Sequence, residues 1–243
     1  MAHALIFGGT RGIGGALAAR CLARGMQVTV CGRDPDAVVD RPPALAVRGL
    51  DIADAPAVRD AVDSVAGTLD LLVVTAGVYY NARAQVLDEA ATLRMLRTNV
   101  GGLSHAFEAG AARMLAQGHG RLAAVSSMAG LLKDYPGASV YGATKRAVLG
   151  LCDTYRKALA PFDIPVTAIV PGYVDTAKLR ELNGGDARHK PFLVSEEDAV
   201  TRMLAAIDAG RPVCAFPWQM RALVGLLNLL PKVPRLPDFQ PPR

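Results

Sequence analysis

A tyrosine and a lysine four positions apart, Tyr141 and Lys145, are the residues in this sequence best suited to moving a proton. On a helix that spacing puts two side chains on one face. An ammonium beside a phenol favours the ionised form and draws its titration down from about 10, toward the range useful for general acid or base chemistry at neutral pH. Of the six tyrosines, only Tyr141 has a lysine four residues on. Two hydroxyls, Ser126 and Ser127, close an apolar run upstream of the pair, and Asn99 lies earlier in a long helical pattern. The second chemical feature is Gly8-Gly9-Thr10-Arg11-Gly12-Ile13-Gly14. A turn without side chains lets the backbone approach a pyrophosphate, whose charge is attracted by the free amides and dipole of the helix that follows. The spacing is Gly8-x-x-x-Gly12-x-Gly14, because Leu17 takes the place where the commoner pattern ends in glycine.

These groups act together only if regular elements bring them to one edge. Short β-branched or apolar runs at residues 4–7, 27–31, 45–50, 69–75, 121–126, 165–170 and 213–216 read as strands. Between them, helical periodicity covers 12–24, 53–66, 88–115 (as one or two helices), 139–159 and 195–209, with Ser195 and Asp198 spaced as a cap. Residues 34–43 leave room for only a turn or two. Strands alternating with helices predict an α/β fold, a single doubly wound Rossmann-type domain with a mainly parallel sheet of about seven strands and helices on both faces.

Composition excludes several alternatives. A chain of 243 residues, 51% hydrophobic and 20% charged, supports one core and little disorder. Four scattered cysteines and four scattered histidines offer no disulfide framework and no metal-ligand spacing, so no metal is expected. The net charge of +5 and the isoelectric point near 9.2 come without a basic run, which argues against nucleic acid as a partner. Met1-Ala2-His3 leads directly into an apolar strand, and no apolar stretch reaches the ~18 residues of a membrane span, so the expected address is cytoplasmic.

The motifs and their order resemble the short-chain dehydrogenase/reductase superfamily over roughly residues 4–216. Besides the glycine turn, Thr75-Ala76-Gly77 resembles the family's Asn-Ala-Gly turn, with threonine for asparagine. Tyr141-Gly-Ala-Thr-Lys145 matches the Tyr-x-x-x-Lys pair, and Pro171-Gly172-Tyr-Val174-Asp-Thr176 resembles the turn after the sixth strand. The resemblance implies hydride transfer between a nicotinamide and a carbonyl or alcohol, as in a carbonyl reductase. Tyr141 would be the proton donor and Lys145 would also hold the nicotinamide ribose. Ser127 would hydrogen-bond the substrate oxygen, with Ser126 as fallback because Ser127 lies 14 residues before Tyr141, one more than usual. Asn99 would help hold a proton-relaying water. The implied cofactor contacts are Gly8, Thr10, Arg11, Gly12, Ile13, Gly14, Arg33, Asp51, Ile52, Ala76, Gly77, Tyr141, Lys145, Pro171, Gly172, Val174 and Thr176.

Charge distinguishes the two nicotinamide cofactors. NAD asks for a carboxylate after the second strand, whereas the 2′-phosphate of NADP asks for a cation. Arg33 after that strand and Arg11 in the glycine turn favour NADP(H) over NAD(H), with Asp34 as the residue that could reverse the preference. Residues 173–191, which include Asn183-Gly184-Gly185, are expected to form a substrate lid. Residues 216–230 form an apolar helix before a proline-containing tail, which could wall the pocket, join subunits or rest on a membrane, in that order. A homodimer or homotetramer is implied by the family. Two other readings stand beside the enzyme: a nucleotide-binding sensor or scaffold without chemistry, and a peripheral membrane reductase for lipid-like substrates.

Overall fold

A computed structural model describes residues 1–79, 88–133 and 139–229. Seven parallel strands, β1 (His3–Phe7), β2 (Gln27–Gly32), β3 (Leu45–Gly49), β4 (Leu71–Val74), β5 (Arg121–Val125), β6 (Val166–Pro171) and β7 (Val213–Phe216), form one sheet in the order β3-β2-β1-β4-β5-β6-β7. The register pairs Ala4 with both Val28 and Leu71, so β1 is central and buried on both faces. This explains its unbroken apolar sequence.

Side-chain alternation along the strands divides the core into two layers. Leu5 and Phe7 face α2 (Ala55–Asp63), α4 (Gly102–Gln117) and α5 (Val140–Leu159), packing with Val58, Leu103, Phe107, Val148 and Cys152. Ala4 and Ile6 face α1 (Gly12–Ala23) and α7 (Glu196–Asp208), packing with Leu17, Cys21, Met203, Leu204 and Ile207. Each fully buried large side chain contributes about 1.5–3 kcal/mol of transfer free energy. The expected doubly wound domain with helices on both faces is therefore the observed one.

Several boundaries differ from expectation for local reasons. β4 ends at Val74 because the amides of Thr75 and Ala76 both turn onto the Phe7 carbonyl. The second crossover, expected to hold only a turn or two, is a 3₁₀ turn at Pro35–Ala37. The long helical pattern 88–115 resolves into α3 (Glu89–Leu96), a π-helical turn (Arg97–Gly101) and α4. Residues 173–191 contain a short helix, α6 (Ala177–Glu181), and the apolar C-terminal pattern folds as α8 (Trp218–Leu229). Residues from 230 onward, and residues 134–138, lie outside the described residues.

Caps hold the helices that matter to the site. Ser139 accepts the Gly142 amide at 3.0 Å and starts α5, and Ser195 accepts the Asp198 amide at 3.1 Å at the start of α7. A 3₁₀ turn (Met128–Gly130) after β5 lies directly on α5. A β-carbon added to Gly130 would stand 2.8 Å from the Lys145 carbonyl carbon, so the turn can approach only because Gly130 has no side chain. Gly150, exposed on α5, has nothing within 4 Å of its own added β-carbon.

Urea unfolding of two glycine variants checks this distinction. Gly130→Ala is expected to lose about 1–3 kcal/mol by overpacking against α5. Gly150→Ala is expected to gain about 0.5–1 kcal/mol from helix propensity.

Candidate active site

Parallel strands place all their carboxyl ends at one edge, and the chain changes winding direction between β1 and β4. Crevices at such switch points receive ligands. A groove of about 520 Å³ opens there, and its walls include the sequence-predicted Gly8, Thr10, Arg11, Gly12, Ile13, Gly14, Arg33, Asp51, Ile52, Ala76, Gly77 and Thr176.

Gly8, Gly12 and Gly14 of the first turn do different work. A β-carbon on Gly8 would lie 2.4 Å from the Ala76 amide nitrogen, and one on Gly14 would lie 2.3 Å from the Gly8 carbonyl oxygen. Both glycines therefore let the β1 turn, the β4 turn and α1 close on one another. Gly12 instead has φ +57°, and the only neighbour of its added β-carbon is the Thr176 methyl at 3.9 Å. Like Gly8 (φ +90°) it adopts a positive φ, but it leaves the groove face open. Arg11, the residue before α1, is extended and makes no side-chain cap bond, so among the described residues the first-turn amides of this 12-residue helix have no side-chain acceptor. Side chains of Asp54, Asp88, Ser139, Thr176 and Ser195 cap α2, α3, α5, α6 and α7.

Charge is distributed in pairs along the groove. Arg11 forms an ion pair with Asp34, the residue whose orientation the sequence left open, and both line the groove. Arg33 also lines it and makes no ion pair among the described residues. Lys178 and Glu181 of α6 line it too, joined at 2.7 Å. Asp51 accepts the Ala53 amide at 3.0 Å, and the Ile52 side chain packs against Gly102 at the start of α4, where an added β-carbon would stand 2.6 Å away.

On the β5 side of the groove, α5 presents Tyr141 and Lys145 together. The Ser127 hydroxyl lies beside the Tyr141 phenol and draws its titration down, while Ser126 turns into the core and donates to the Lys145 carbonyl oxygen at 2.7 Å. The inserted residue between serine and tyrosine thus leaves Ser127, and not Ser126, facing the phenol. Lys145 is 5% exposed and donates from Nζ to the Val125 carbonyl at 2.9 Å. Its Nζ lies 5.8 Å from the centre of the Tyr141 ring, and a β-carbon on Gly77 would stand 3.2 Å from it. A side chain at Gly77 would crowd the ammonium and the Asn99 carboxamide oxygen, 3.4 Å from the same added β-carbon.

The electrostatics correct one expectation. Burial pushes the Tyr141 phenol up to about 12, opposed by the Ser127 hydroxyl and reinforced by Tyr79, so without ligand the phenol is firmly protonated. Burial also pulls the Lys145 ammonium down to about 8. In both groups desolvation is the largest cause of the shift, because burial disfavours whichever form carries the charge.

Asn99 sits in the π-helical turn, 2% exposed. Its Oδ1 accepts the Val78 amide at 2.7 Å, and its Nδ2 donates to the Val78 carbonyl and to Thr144 Oγ1, each at 3.0 Å. Both amide hydrogens are thus engaged by protein, so the carboxamide acts as a bracket and has no hydrogen left to donate to a water. Thr144 in turn donates to the Tyr141 carbonyl at 2.8 Å. Of the expected cofactor contacts, Tyr141, Lys145, Pro171, Gly172 and Val174 are absent from the groove wall. Gly172 donates its amide to the Phe216 carbonyl at 2.8 Å and Val174 pairs with Val194, and together they carry Thr176 to the groove.

The sequence reading missed Thr144, Tyr79, Thr98, Lys178 and Glu181. Thr144 lies inside the Tyr-x-x-x-Lys interval and was legible as a second hydroxyl there. Tyr79 carries no spacing signal. Its ring meets that of Tyr141 edge to face, with centroids 4.9 Å apart and planes at 83°.

A doubly wound parallel sheet with a glycine turn at its switch point and a serine, tyrosine and lysine beside it defines a dinucleotide-binding oxidoreductase architecture. Residues 2–187 match the family model for short chain dehydrogenases, and the chain belongs to that oxidoreductase family. It is 32% identical over 238 residues to an "uncharacterized oxidoreductase" of Myxococcus xanthus, covering 94% of this chain and 92% of the relative. It is 30% identical over 214 residues to a cyclohexanol dehydrogenase of Rhodococcus, covering 76% and 79%. A short chain dehydrogenase from Burkholderia cenocepacia, solved in complex with NADP, superposes with a TM-score of 0.81 at 24% identity over 93% of this chain and 92% of that one. No helix among the described residues is long and apolar enough to cross a membrane, and none of them form a cluster suited to a metal ion.

The Lys145 shift gives a stability prediction. Between about pH 8 and its ordinary value near 10.4, the unfolded chain holds a proton that the folded chain has lost, so folding gains stability as pH rises through that window. Relative to Lys145→Met, the wild type should gain roughly 1–3 kcal/mol between pH 8 and pH 10 in urea unfolding.

Proposed function

We propose that this protein is an NADPH-dependent oxidoreductase that interconverts carbonyl and alcohol groups. The observation that carries this reading is the Tyr141 phenol with the Ser127 hydroxyl beside it and the buried Lys145 ammonium one helical turn on, next to a groove that ends on uncapped helix amides. NADP(H) fits the residues there. The first-turn amides of α1 offer donors to the diphosphate, and Arg33 with Arg11 offers guanidinium forks to a 2′-phosphate. The Lys145 ammonium has three hydrogens and one acceptor among the described residues, leaving donors for the nicotinamide ribose hydroxyls.

When bound, the nicotinamide supplies or accepts a hydride at the reacting carbon. In the reducing direction Tyr141, protonated at neutral pH, donates its phenolic proton to the substrate oxygen, and Ser127 hydrogen-bonds that same oxygen. Lys145 is then the cation that steadies the phenolate left behind. A non-catalytic sensor would have no use for a phenol set between a serine and a buried ammonium. We further propose that residues 173–191 act as the substrate lid, that the protein works in the cytoplasm, and that it assembles as a homodimer or homotetramer, as the family resemblance implies.

Two measurements test the reading. NADPH oxidation against a panel of ketones and aldehydes should appear with the wild type and fall about 10²- to 10⁴-fold in Tyr141→Phe, and unchanged turnover in that variant would overturn the mechanism. For cofactor selection, Arg33→Ala should weaken NADPH binding about 10- to 100-fold while leaving NADH nearly unaffected, read by the fluorescence of the bound nicotinamide. Asp34→Asn should shift affinity the other way, because it frees Arg11 for the 2′-phosphate.

A further inference from the structure

Resting on Tyr141 as the proton donor, we infer that Tyr79 is a wall of the substrate site, which therefore takes ketones or alcohols carrying an aromatic ring next to the reacting carbon. Tyr79 follows Val78, whose amide and carbonyl are both held by the Asn99 carboxamide, at 2.7 and 3.0 Å. The second Nδ2 hydrogen of Asn99 goes to Thr144, and Thr144 donates to the Tyr141 carbonyl. The backbone that directs Tyr79 and the helical turn that directs Tyr141 are thus fastened through one buried bracket. Their relative placement is fixed before any substrate arrives.

The consequence is visible in the rings. Tyr79 and Tyr141 meet edge to face with centroids 4.9 Å apart, yet Tyr79 remains 50% exposed. The Tyr79 ring is therefore held beside the phenol while half of its surface stays exposed. Packing the two rings together buries only part of this surface, and an exposed aromatic fixed beside a polar pair suits a molecule that is polar at one end and flat and apolar alongside. Ser127 and Tyr141 would take the oxygen, and the Tyr79 ring would take an aryl substituent one or two bonds away. A small aliphatic ketone satisfies the polar pair and leaves the ring uncovered.

The test compares an aryl methyl ketone with butanone in wild type, Tyr79→Ala and Tyr79→Phe, each with NADPH. The wild type should prefer the aryl ketone in kcat/KM. Tyr79→Ala should cut that preference roughly tenfold, mostly through KM, and Tyr79→Phe should keep it, because the ring and not the hydroxyl makes the contact. An aryl-to-aliphatic ratio that is the same in wild type and Tyr79→Ala overturns the inference, as does a Phe variant that behaves like Ala. Saturation-transfer NMR of the aryl ketone on Tyr141→Phe loaded with NADPH provides a readout independent of turnover. The signal should be present there and lost when Tyr79→Ala is added. Loss of that signal with Tyr79→Ala, together with undiminished turnover in Tyr141→Phe, would overturn the acid assignment and leave the aromatic wall standing. A signal indifferent to Tyr79 would overturn the wall and leave the acid.

Discussion

The site depends on keeping one ammonium out of water. Lys145 is nearly fully buried, and a buried charge is tolerated only where hydrogen-bond acceptors meet it. The acceptor is the last carbonyl of β5, Val125, at 2.9 Å. Much of the surrounding architecture follows from that bond. The turn after β4 must lack a side chain at Gly77 to leave room for the ammonium, and the turn after β5 must lack one at Gly130 so that α5 can lie close enough to reach the strand end. Ser126 then ties the Lys145 carbonyl to the same strand end and fixes the helix in rotation as well as in distance.

A second constraint comes from the π-helical turn at Arg97–Gly101. An extra residue in a helical turn offsets the two flanking helices and turns one side chain inward. Here that side chain is Asn99, and its amide reaches the β4 turn and α5 at once. The carboxamide thus joins three segments distant in sequence: residue 78, the π turn and residue 144. This arrangement makes Asn99 a positioning residue for the whole phenol-bearing face. It also accounts for its burial, since an amide with all its hydrogens engaged tolerates a dry environment.

The legible parts of this protein were those carried by periodicity and by chemistry at fixed spacing. The strand positions, the α5 pair and the glycine turn each follow from local rules, and the sheet architecture follows from their alternation. The division of labour among the glycines was not legible, because whether Gly8 serves a ligand or a neighbouring backbone depends on how close Ala76 comes, which only the packed turns decide. The state of Tyr141 was misjudged for a related reason. Spacing shows that an ammonium is one helical turn away, but not that it points at Val125 and the ring, nor that burial then dominates. Tyr79 lacked any sequence signal because its partner is 62 residues away and no periodicity connects them.

The groove shows how binding and release can be balanced on one surface. Arg11 and Lys178 face it, yet each is already matched by a carboxylate on the same wall, Asp34 and Glu181. These pairs are exposed, so each contributes little to stability and exchanges partners at small cost. A phosphate entering the groove competes with a carboxylate rather than meeting an unmatched cation, which lowers the net gain from each contact. Arg33, without an ion pair among the described residues, meets no such competition and should therefore contribute more to selecting a 2′-phosphate than Arg11. A cofactor that must leave after every turnover is better served by this arrangement than by an unopposed cluster of cations. The uncapped amides of α1, which have no side-chain acceptor among the described residues, supply the part of the affinity that does not depend on displacing an acid.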